Sequence, residues 1–333
     1  MDEPSATLDA RLRDRWAVGS LSLDRRLLMA PMAGISTQAF RRSVRRWGAG
    51  LVFTEMISSH GVAYRNRRTT VEYLACGQDE HPIGYQLFGA DPEILAQAVP
   101  ACLAAGADLI DLNLACPVRK VTRTGAGAAL LAQPERAADC VRAIVDAVAG
   151  TVPVTAKIRA GLRVGDEAGR RAAPGLVAAG AAAVCIHPRA ASELYRGRAD
   201  HSITLALADD LDVPVIASGD IGDREVCAGL LDGGVAAVMV ARAALGRPWI
   251  FSELLEGAGA PPLAARQTEL KRFVGDVAAS LGARAPGHLR QFWSRFRKSG
   301  TIDAATCRRL MEAPDVAALA AILGMTGAGW HTP

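Results

Sequence analysis

Eight short apolar runs, each followed by a longer segment of helical period, constrain this chain more than any other feature. The runs are Leu27–Met32, Leu51–Glu55, Ile83–Phe88, Asp108–Leu114, Val152–Ile158, Ala183–His187, Val213–Ser218 and Ala236–Val240. Each is dominated by Val, Ile, Leu and Ala, as a strand covered on both faces requires. Strands alternating with helices make βαβ units and a parallel sheet. Eight of them favour a closed (β/α)8 TIM barrel over an open doubly wound sheet. Helix starts are marked by Asp91-Pro92-Glu93 and Gln133-Pro134-Glu135, where proline opens the first turn. Gly106, Gly180 and Gly233-Gly234 stand between a helical stretch and the next run, where a left-handed residue ends a helix.

A barrel of this kind uses about 250 residues, and the chain has 333. After Phe251 the alternation stops, a Gly/Ala/Pro stretch intervenes, and helical spacing continues without strand-like runs. We therefore expect a barrel domain over residues 1–255, a linker over 256–265 and a small helical domain over 266–333. That last segment holds ten Lys/Arg against five Asp/Glu, a net of +5, so with +4 overall the preceding residues sum to −1. The basic excess suits a polyanionic partner, although mild basicity is common among proteins with none. Within it, His288 to Lys298 (HLRQFWSRFRK) sets three aromatics among four basic residues.

Several classes are excluded. Half the residues are hydrophobic, which argues against disorder. The seven cysteines are never closer than fourteen positions, so no CxxC pair offers a zinc or cluster site, and reduced thiols in the cytoplasm fit best. The N-terminus is acidic and then alternates in charge, unlike a signal peptide. Gly175 to Pro188, the longest apolar stretch free of charge, is too short and glycine-broken to span a bilayer. We expect a cytoplasmic chain with no membrane and no metal partner; its oligomeric state is not encoded in these patterns.

In a (β/α)8 barrel the active site lies at the C-terminal ends of the strands. The residues there are Pro31-Met32-Ala33, Glu55, Gln86, Asn113 and Cys116, Lys157 and Arg159, His187 and Arg189, Ser218-Gly219-Asp220, and Ala241-Arg242. The loops after runs seven and eight offer small residues and Arg242, which suits a phosphate but also suits a glycine turn beside a surface arginine. Lys157 lies inside VPVTAKI. It either snorkels from the strand end or meets a polar ligand, and Gln86 and Asn113 at comparable ends favour the ligand. His187 caps its strand or contacts a ligand. Cys116 precedes a proline in a loop with later glycines, where a lone cysteine is either an inert small hydrophobe or a reactive group.

Taken together, the motifs resemble the FMN-dependent tRNA-dihydrouridine synthases, with the bacterial B-type subgroup nearest. The likeness runs from about Leu27 to Phe251. It rests on APMAG at Ala30–Gly34, TEMISSHG at Thr54–Gly61, QLFG at Gln86–Gly89, DLNLACPVRKV at Asp111–Val121, GAGAALL at Gly125–Leu131, PVTAKIRAG at Pro153–Gly161, SGDI at Ser218–Ile221 and VARAALGRPWIF at Val240–Phe251. The resemblance implies FMN held by Pro31, Met32 and Ala33 along the ring, by Gln86 and Lys157 at its polar edge, by His187, and by Ser218, Gly219, Asp220, Ala241 and Arg242 around the phosphate. It implies NADPH as reductant, Cys116 as general acid, and tRNA as substrate and partner, with Asn113, Arg159, Arg189, Arg295 and Arg297 as substrate contacts. The chain departs from the family's pattern at Ala115, at Pro188–Glu193, at Ser218 and at Ala241. Those departures bear on substrate placement, and the ones at Pro188–Glu193 motivate one alternative, a flavin-dependent reductase of a free small molecule. A non-catalytic RNA-binding protein on a retired barrel is the other.

Overall fold

The computed structural model describes residues 4–67 and 69–325, so the last eight residues of the expected helical domain, 326–333, lie outside the described part. Its strands are β1 (Trp16–Val18), β2 (Leu21–Leu23), β3 (Leu27–Met29), β4 (Val52–Phe53), β5 (Ile57–Ser58), β6 (Ile83–Phe88), β7 (Leu109–Leu114), β8 (Val154–Arg159), β9 (Ala183–His187), β10 (Val215–Ser218) and β11 (Ala237–Val240). Hydrogen-bonded neighbours run β3-β11-β10-β9-β8-β7-β6-β4, and every one of those pairings is parallel. The ring closes through Met29 N–H to Leu51 O at 2.9 Å and Gly50 N–H to Leu27 O at 2.8 Å. The result is a (β/α)8 barrel, and each of its eight strands falls within or overlaps one of the apolar runs. β4 is shorter than its run because the chain leaves the ladder at Thr54 and rejoins β6 as β5.

Successive side chains on a strand point to opposite sides, and here that alternation separates two cores. Ile110, Leu112 and Leu114 of β7 pack outward with Ala156, Ile158, Val184 and Ile186 under the helices. Leu28, Leu51, Phe53, Leu109, Ala183, Cys185, Ile216, Ala237 and Met239 fill the barrel interior. The same parity turns Gln86, Asp111, Asn113, Thr155, Lys157, Arg159 and His187 inward. Gly84 is required by this packing, since a Cβ there would come within 2.5 Å of the Phe53 ring. One element lay outside the sequence reading. The hairpin β1–β2 sends Trp16, Val18 and Leu23 into the interior cluster among residues that begin strands, closing the N-terminal end of the barrel. Two three-residue strands are too short to announce themselves by pattern.

The C-terminal helices are Leu263–Leu281, Ala285–Lys298, Ala304–Glu312 and Val316–Ile322. The break before them is shorter than the expected linker. The barrel's last helix ends at Glu256 with Gly257 in the left-handed region, and the next helix begins at Leu263 directly after Pro262. In the helix Ala285–Lys298, Leu289, Phe292, Trp293 and Phe296 share one buried face at spacings of three and four. The three aromatics of HLRQFWSRFRK are therefore core residues and not a stacking surface. Phe292 and Phe273 lie 6.0 and 6.4 Å from Phe40 on the barrel helix Gln38–Arg46, binding the helical segment to the barrel. Burying such side chains contributes roughly 1.5–3 kcal/mol each. Glu269 adds a polar tie, accepting from Ser43 Oγ at 2.7 Å and from Arg46 at 2.7 Å.

Candidate active site

The inward polar residues converge on one cavity of about 790 Å³ at the C-terminal mouth of the barrel. It is lined by Pro31, Met32, Ala33, Gln86, Asn113, Cys116, Lys157, Arg159, His187, Ser218, Gly219, Asp220, Ala241, Arg242 and Arg295, all of them residues singled out in the sequence. The size is that of a site enclosing a cofactor or a drug-sized ligand.

The wall formed by β6, β7 and β8 is a chain of neutral and singly charged hydrogen bonds. Thr155 Oγ1 donates to Asp111 Oδ1 at 2.6 Å, and Gln86 Nε2 donates to Asp111 Oδ2 at 2.7 Å. Asn113 Nδ2 donates to Gln86 Oε1 at 2.7 Å, while Asn113 Oδ1 accepts from the backbone of Ala115 at 3.1 Å and of Cys116 at 2.9 Å. Strand register produces this, because Gln86 stands beside Asp111 and Asp111 beside Thr155. Burial raises the Asp111 carboxyl to about 6, against the bonds from Thr155 and Gln86 and the charge of Lys157. Lys157 is buried, with 8% of its surface exposed, and makes no salt bridge or hydrogen bond among the described residues. Its ammonium faces the cavity without a protein acceptor, so a ligand acceptor is what the position lacks.

Cys116 sits half-buried where β7 runs into its loop. Burial pushes its thiol above the ordinary value, opposed by the Val118 N–H and more weakly by Arg159 and Lys157. At neutral pH it is a protonated donor. Its loop is tethered across the mouth by Arg159, which donates from Nε to Ala115 O at 2.9 Å and from Nη1 to Leu194 O at 2.8 Å and Ala190 O at 3.1 Å.

The opposite wall, from β9, β10 and β11, is ionic. Asp220, a non-glycine residue with φ of 53°, receives Arg189 on both oxygens, at 2.6 and 3.1 Å, and Arg242 on one at 2.9 Å. Burial alone would raise its carboxyl, but the bonds from Arg189 and Ala199 and the charges of both arginines lower it. Arg189 differs from expectation. Its guanidinium is fully buried and divided among Asp220, Arg196 O at 2.9 Å and Gly197 O at 2.7 Å, leaving no face toward the cavity. It fastens the loop after β9 and does not present itself to a substrate. The Asp220 carboxylate ties Arg189 and Arg242 together, and an anion here would meet backbone N–H groups and the remaining donors of the partly exposed Arg242. Ile221, Gly222, Arg242 and Ala243 line the mouth, and their backbone N–H groups have no protein acceptor among the described residues. His187 is driven down to about 2 by burial and by Lys157, Arg159, Arg189 and Arg242. It is a neutral ring, and Arg189 Nη1 at 3.2 Å from Nε2 assigns the ring proton to Nδ1.

The two C-terminal arginines part company. Arg295 lines the cavity, whereas Arg297 is exposed and does not. Two positions on a helix are about 200° apart, so both cannot face one site. The same face carries Gln291, which donates to Gly34 O at 2.9 Å and braces the loop after β3, whose Gly34 N–H is held by Glu55. Sequence reading missed Asp111 and Thr155, and it missed Tyr195, whose ring lies 5.1 Å from the Arg242 guanidinium and 6.3 Å from His187. A charged residue in the middle of DLIDLNL was the available signal for Asp111.

Fold and cavity define a (β/α)8-barrel enzyme with its polar groups gathered at the strand ends. Solved structures share that architecture: histamine dehydrogenase from Rhizobium sp. 4-9 matches with a TM-score of 0.59 at 15% identity over 75% of this chain and 48% of its own. A variant of NCR from Zymomonas mobilis matches at 0.55 and 17% over 75% and 92%. Residues 28–284 match the family described as dihydrouridine synthase (Dus). tRNA-dihydrouridine synthase B of Pseudomonas aeruginosa is 38% identical over 238 residues, 71% of each chain. A probable tRNA-dihydrouridine synthase of Treponema pallidum is 34% identical over 325 residues, 92% of this chain and 94% of its own. The chain belongs to the dihydrouridine synthase family, the enzymes that reduce uridines in tRNA.

Proposed function

We propose that this chain reduces the C5–C6 double bond of uridine in tRNA with FMN as its cofactor, NADPH as reductant and Cys116 as the general acid. The observation that carries the reading is a protonated, half-buried thiol on the same cavity as an oriented amide pair, Gln86 and Asn113, and an unpartnered ammonium, Lys157. FMN fits these residues. Pro31, Met32 and Ala33 would flank its ring, Gln86 and Lys157 would meet its polar edge, and neutral His187 would lie beside it. Ser218, Gly219, Asp220, Ala241 and Arg242 would surround the phosphate, with N–H groups of the adjoining loops as donors. When bound, FMN reduced by NADPH supplies the hydride that uracil C6 accepts.

The chain's own part is the proton. Cys116 gives its S–H proton to C5, a C–H bond forms as the S–H bond breaks, and the thiolate recovers a proton from solvent. A thiol raised by burial holds its proton at neutral pH until carbon takes it. Lys157, with Asn113 beside it, would steady negative charge on the uracil carbonyls as hydride arrives. A base stacked in folded tRNA must leave its stack to enter a cavity of this size. Arg159 holds the Cys116 loop in place, and Arg295 brings a cation from the helical segment to the same mouth. Acting on tRNA, the enzyme would work in the cytoplasm.

The test is an assay of the purified flavoprotein with NADPH on tRNA lacking the modification, read by mass spectrometry of nucleosides. Dihydrouridine should appear in proportion to enzyme. Its absence, beside turnover of a free pyrimidine or an enone, would replace this reading with a small-molecule reductase.

A further inference from the structure

Asp111 touches neither the cavity nor the loop after β7, yet both depend on it. It is the buried end of the chain Asp111–Gln86–Asn113 that terminates on the backbone N–H groups of Ala115 and Cys116. Each amide in the chain has two chemically different ends, and the carboxylate at the start acts with the two backbone N–H donors at the finish to decide which way round they sit. With an acceptor at Asp111, Gln86 must turn Nε2 toward it and Oε1 toward Asn113. Asn113 then turns Nδ2 toward Gln86 and Oδ1 toward the two N–H donors. If both amides flipped, the Asn113 NH2 group would face two N–H donors, and the turn that presents Cys116 would lose its acceptor.

We propose that Asp111 is a positioning residue that, through Gln86 and Asn113, sets the cavity-facing amide and the Cys116 turn as a single unit. The inference rests on the reading of Gln86 as a cofactor contact and Cys116 as the proton donor. What Asp111 supplies is an acceptor of fixed direction and not a charge. Thr155 is the key to separating the two, since its hydroxyl can donate to a carboxylate or accept from an amide. In Asp111→Asn, Nδ2 can donate to Thr155 Oγ1, leaving Oδ1 to accept from Gln86, and the direction of the chain survives. In Asp111→Asn with Thr155→Val, nothing holds the new amide, and it can present either end to Gln86. Thr155→Val alone leaves a carboxylate, which accepts at both oxygens, and so keeps the direction.

The experiment compares Asp111→Asn, Thr155→Val and the double variant with the native chain at pH 8. Three quantities are measured: the FMN dissociation constant by flavin fluorescence, the alkylation rate of Cys116 by iodoacetamide in flavin-free protein, and the rate at which tRNA reoxidises the NADPH-reduced enzyme. Each single variant should stay within about threefold of native on all three, because the direction of the hydrogen-bond chain is kept. The double variant should weaken FMN and slow tRNA-dependent reoxidation by about tenfold or more, the equivalent of one misdirected buried hydrogen bond, and should alter Cys116 alkylation by about threefold or more. A double variant within threefold of native on every readout would overturn the proposal, as would an Asp111→Asn variant already as impaired as the double. Both substitutions keep the native volume, and the Thr155→Val variant alone controls for the cost of losing its buried hydroxyl. Cys116 alkylation needs neither flavin nor tRNA. A native chain inactive on tRNA would therefore count against the proposed function, while the alkylation contrast would still decide the role of Asp111.

Discussion

The two walls of the cavity solve different problems. On the β6–β8 side, Thr155, Asp111, Gln86 and Asn113 are linked by short hydrogen bonds that carry direction but little charge. On the β9–β11 side, Arg189 and Arg242 converge on Asp220 and surround it with cations. A wall of oriented amides can read the edge of a neutral heterocycle, where the pattern of donors and acceptors is everything. A wall of arginines and open backbone N–H groups suits a phosphate, where charge is. Cys116 lies in the loop that follows β7, and Arg159 at the end of β8 ties that loop to the one after β9 by donating to Ala115 O on one side and to Ala190 O and Leu194 O on the other. The proton donor thus sits in a loop at the edge of the amide wall, its thiol taking no part in that wall's hydrogen bonds, and binding and proton delivery are separable.

That separation makes the largest expected effect. Cys116→Ala should leave FMN affinity and reduction by NADPH near native while lowering tRNA-dependent reoxidation by about 10²- to 10⁴-fold, the usual worth of a general acid. Stopped-flow absorbance of the flavin reads both halves in one instrument. Equal loss in both halves would show that the thiol supports binding, and dihydrouridine formation at the native rate would remove it from the chemistry.

The contrast between walls can be broken by changing one side at a time. Arg242→Ala should weaken FMN by about 10- to 100-fold, the worth of a charge-assisted hydrogen bond, and should barely change the affinity for riboflavin, which has no phosphate. Gln86→Ala should weaken both flavins alike. If Arg242→Ala affected riboflavin as strongly as FMN, the β9–β11 wall would be a general support and not a phosphate site.

The eight barrel strands were legible because strands buried on both faces must be apolar throughout, and period-two parity then sorts the polar exceptions to the inside. Gln86, Asn113, Lys157 and His187 follow directly. The connections among them do not. Which amide meets which carboxylate depends on the register of β6 against β7 and of β7 against β8, and nothing local to Asp111 or Thr155 encodes that. Arg189 shows a second limit, for an arginine at a strand end looks the same in sequence whether it faces a ligand or spends its donors on its own loop, on His187 and on Asp220. The aromatics of the helix Ala285–Lys298 show a third. Phe292, Trp293 and Phe296 alternate with basic residues as an RNA-stacking surface would, but their spacing of three and four puts them on one face, against Phe40 and Phe273.

The walls also titrate in opposite directions. Asp111, raised from 3.8 to about 6, holds a proton in the folded chain that the unfolded chain has released, so it favours folding at acid pH and withdraws that support as pH rises through 6. His187, lowered from 6.5 to about 2, refuses a proton that the unfolded chain accepts, so it favours folding above pH 6.5 and withdraws support as pH falls below it. Between pH 6 and 4.5 the two oppose. Asp111→Asn removes one of them, and its stability should then fall by up to about 1.4 kcal/mol more per pH unit than that of the native chain across this window. Urea melts at four pH values measure the slope. Parallel slopes for the two proteins would mean that Asp111 has an ordinary carboxyl.

The smallest expected effect concerns the two arginines that the sequence could not tell apart. Arg295 reaches the cavity and Arg297 does not. Both add positive charge, so both substitutions to Ala should weaken tRNA binding by at most about tenfold, each lowering the salt slope by about one unit if its side chain neutralises a phosphate. They should differ in what they do to turnover. With tRNA saturating, Arg297→Ala should keep the native rate of flavin reoxidation, because its side chain is exposed away from the mouth. Arg295→Ala should slow it as well, since a cation at the mouth acts on the base after the tRNA has docked. Identical kinetics for the two variants would mean that the helical segment contributes charge to docking alone, and that the ionic and amide walls of the barrel complete the site without it.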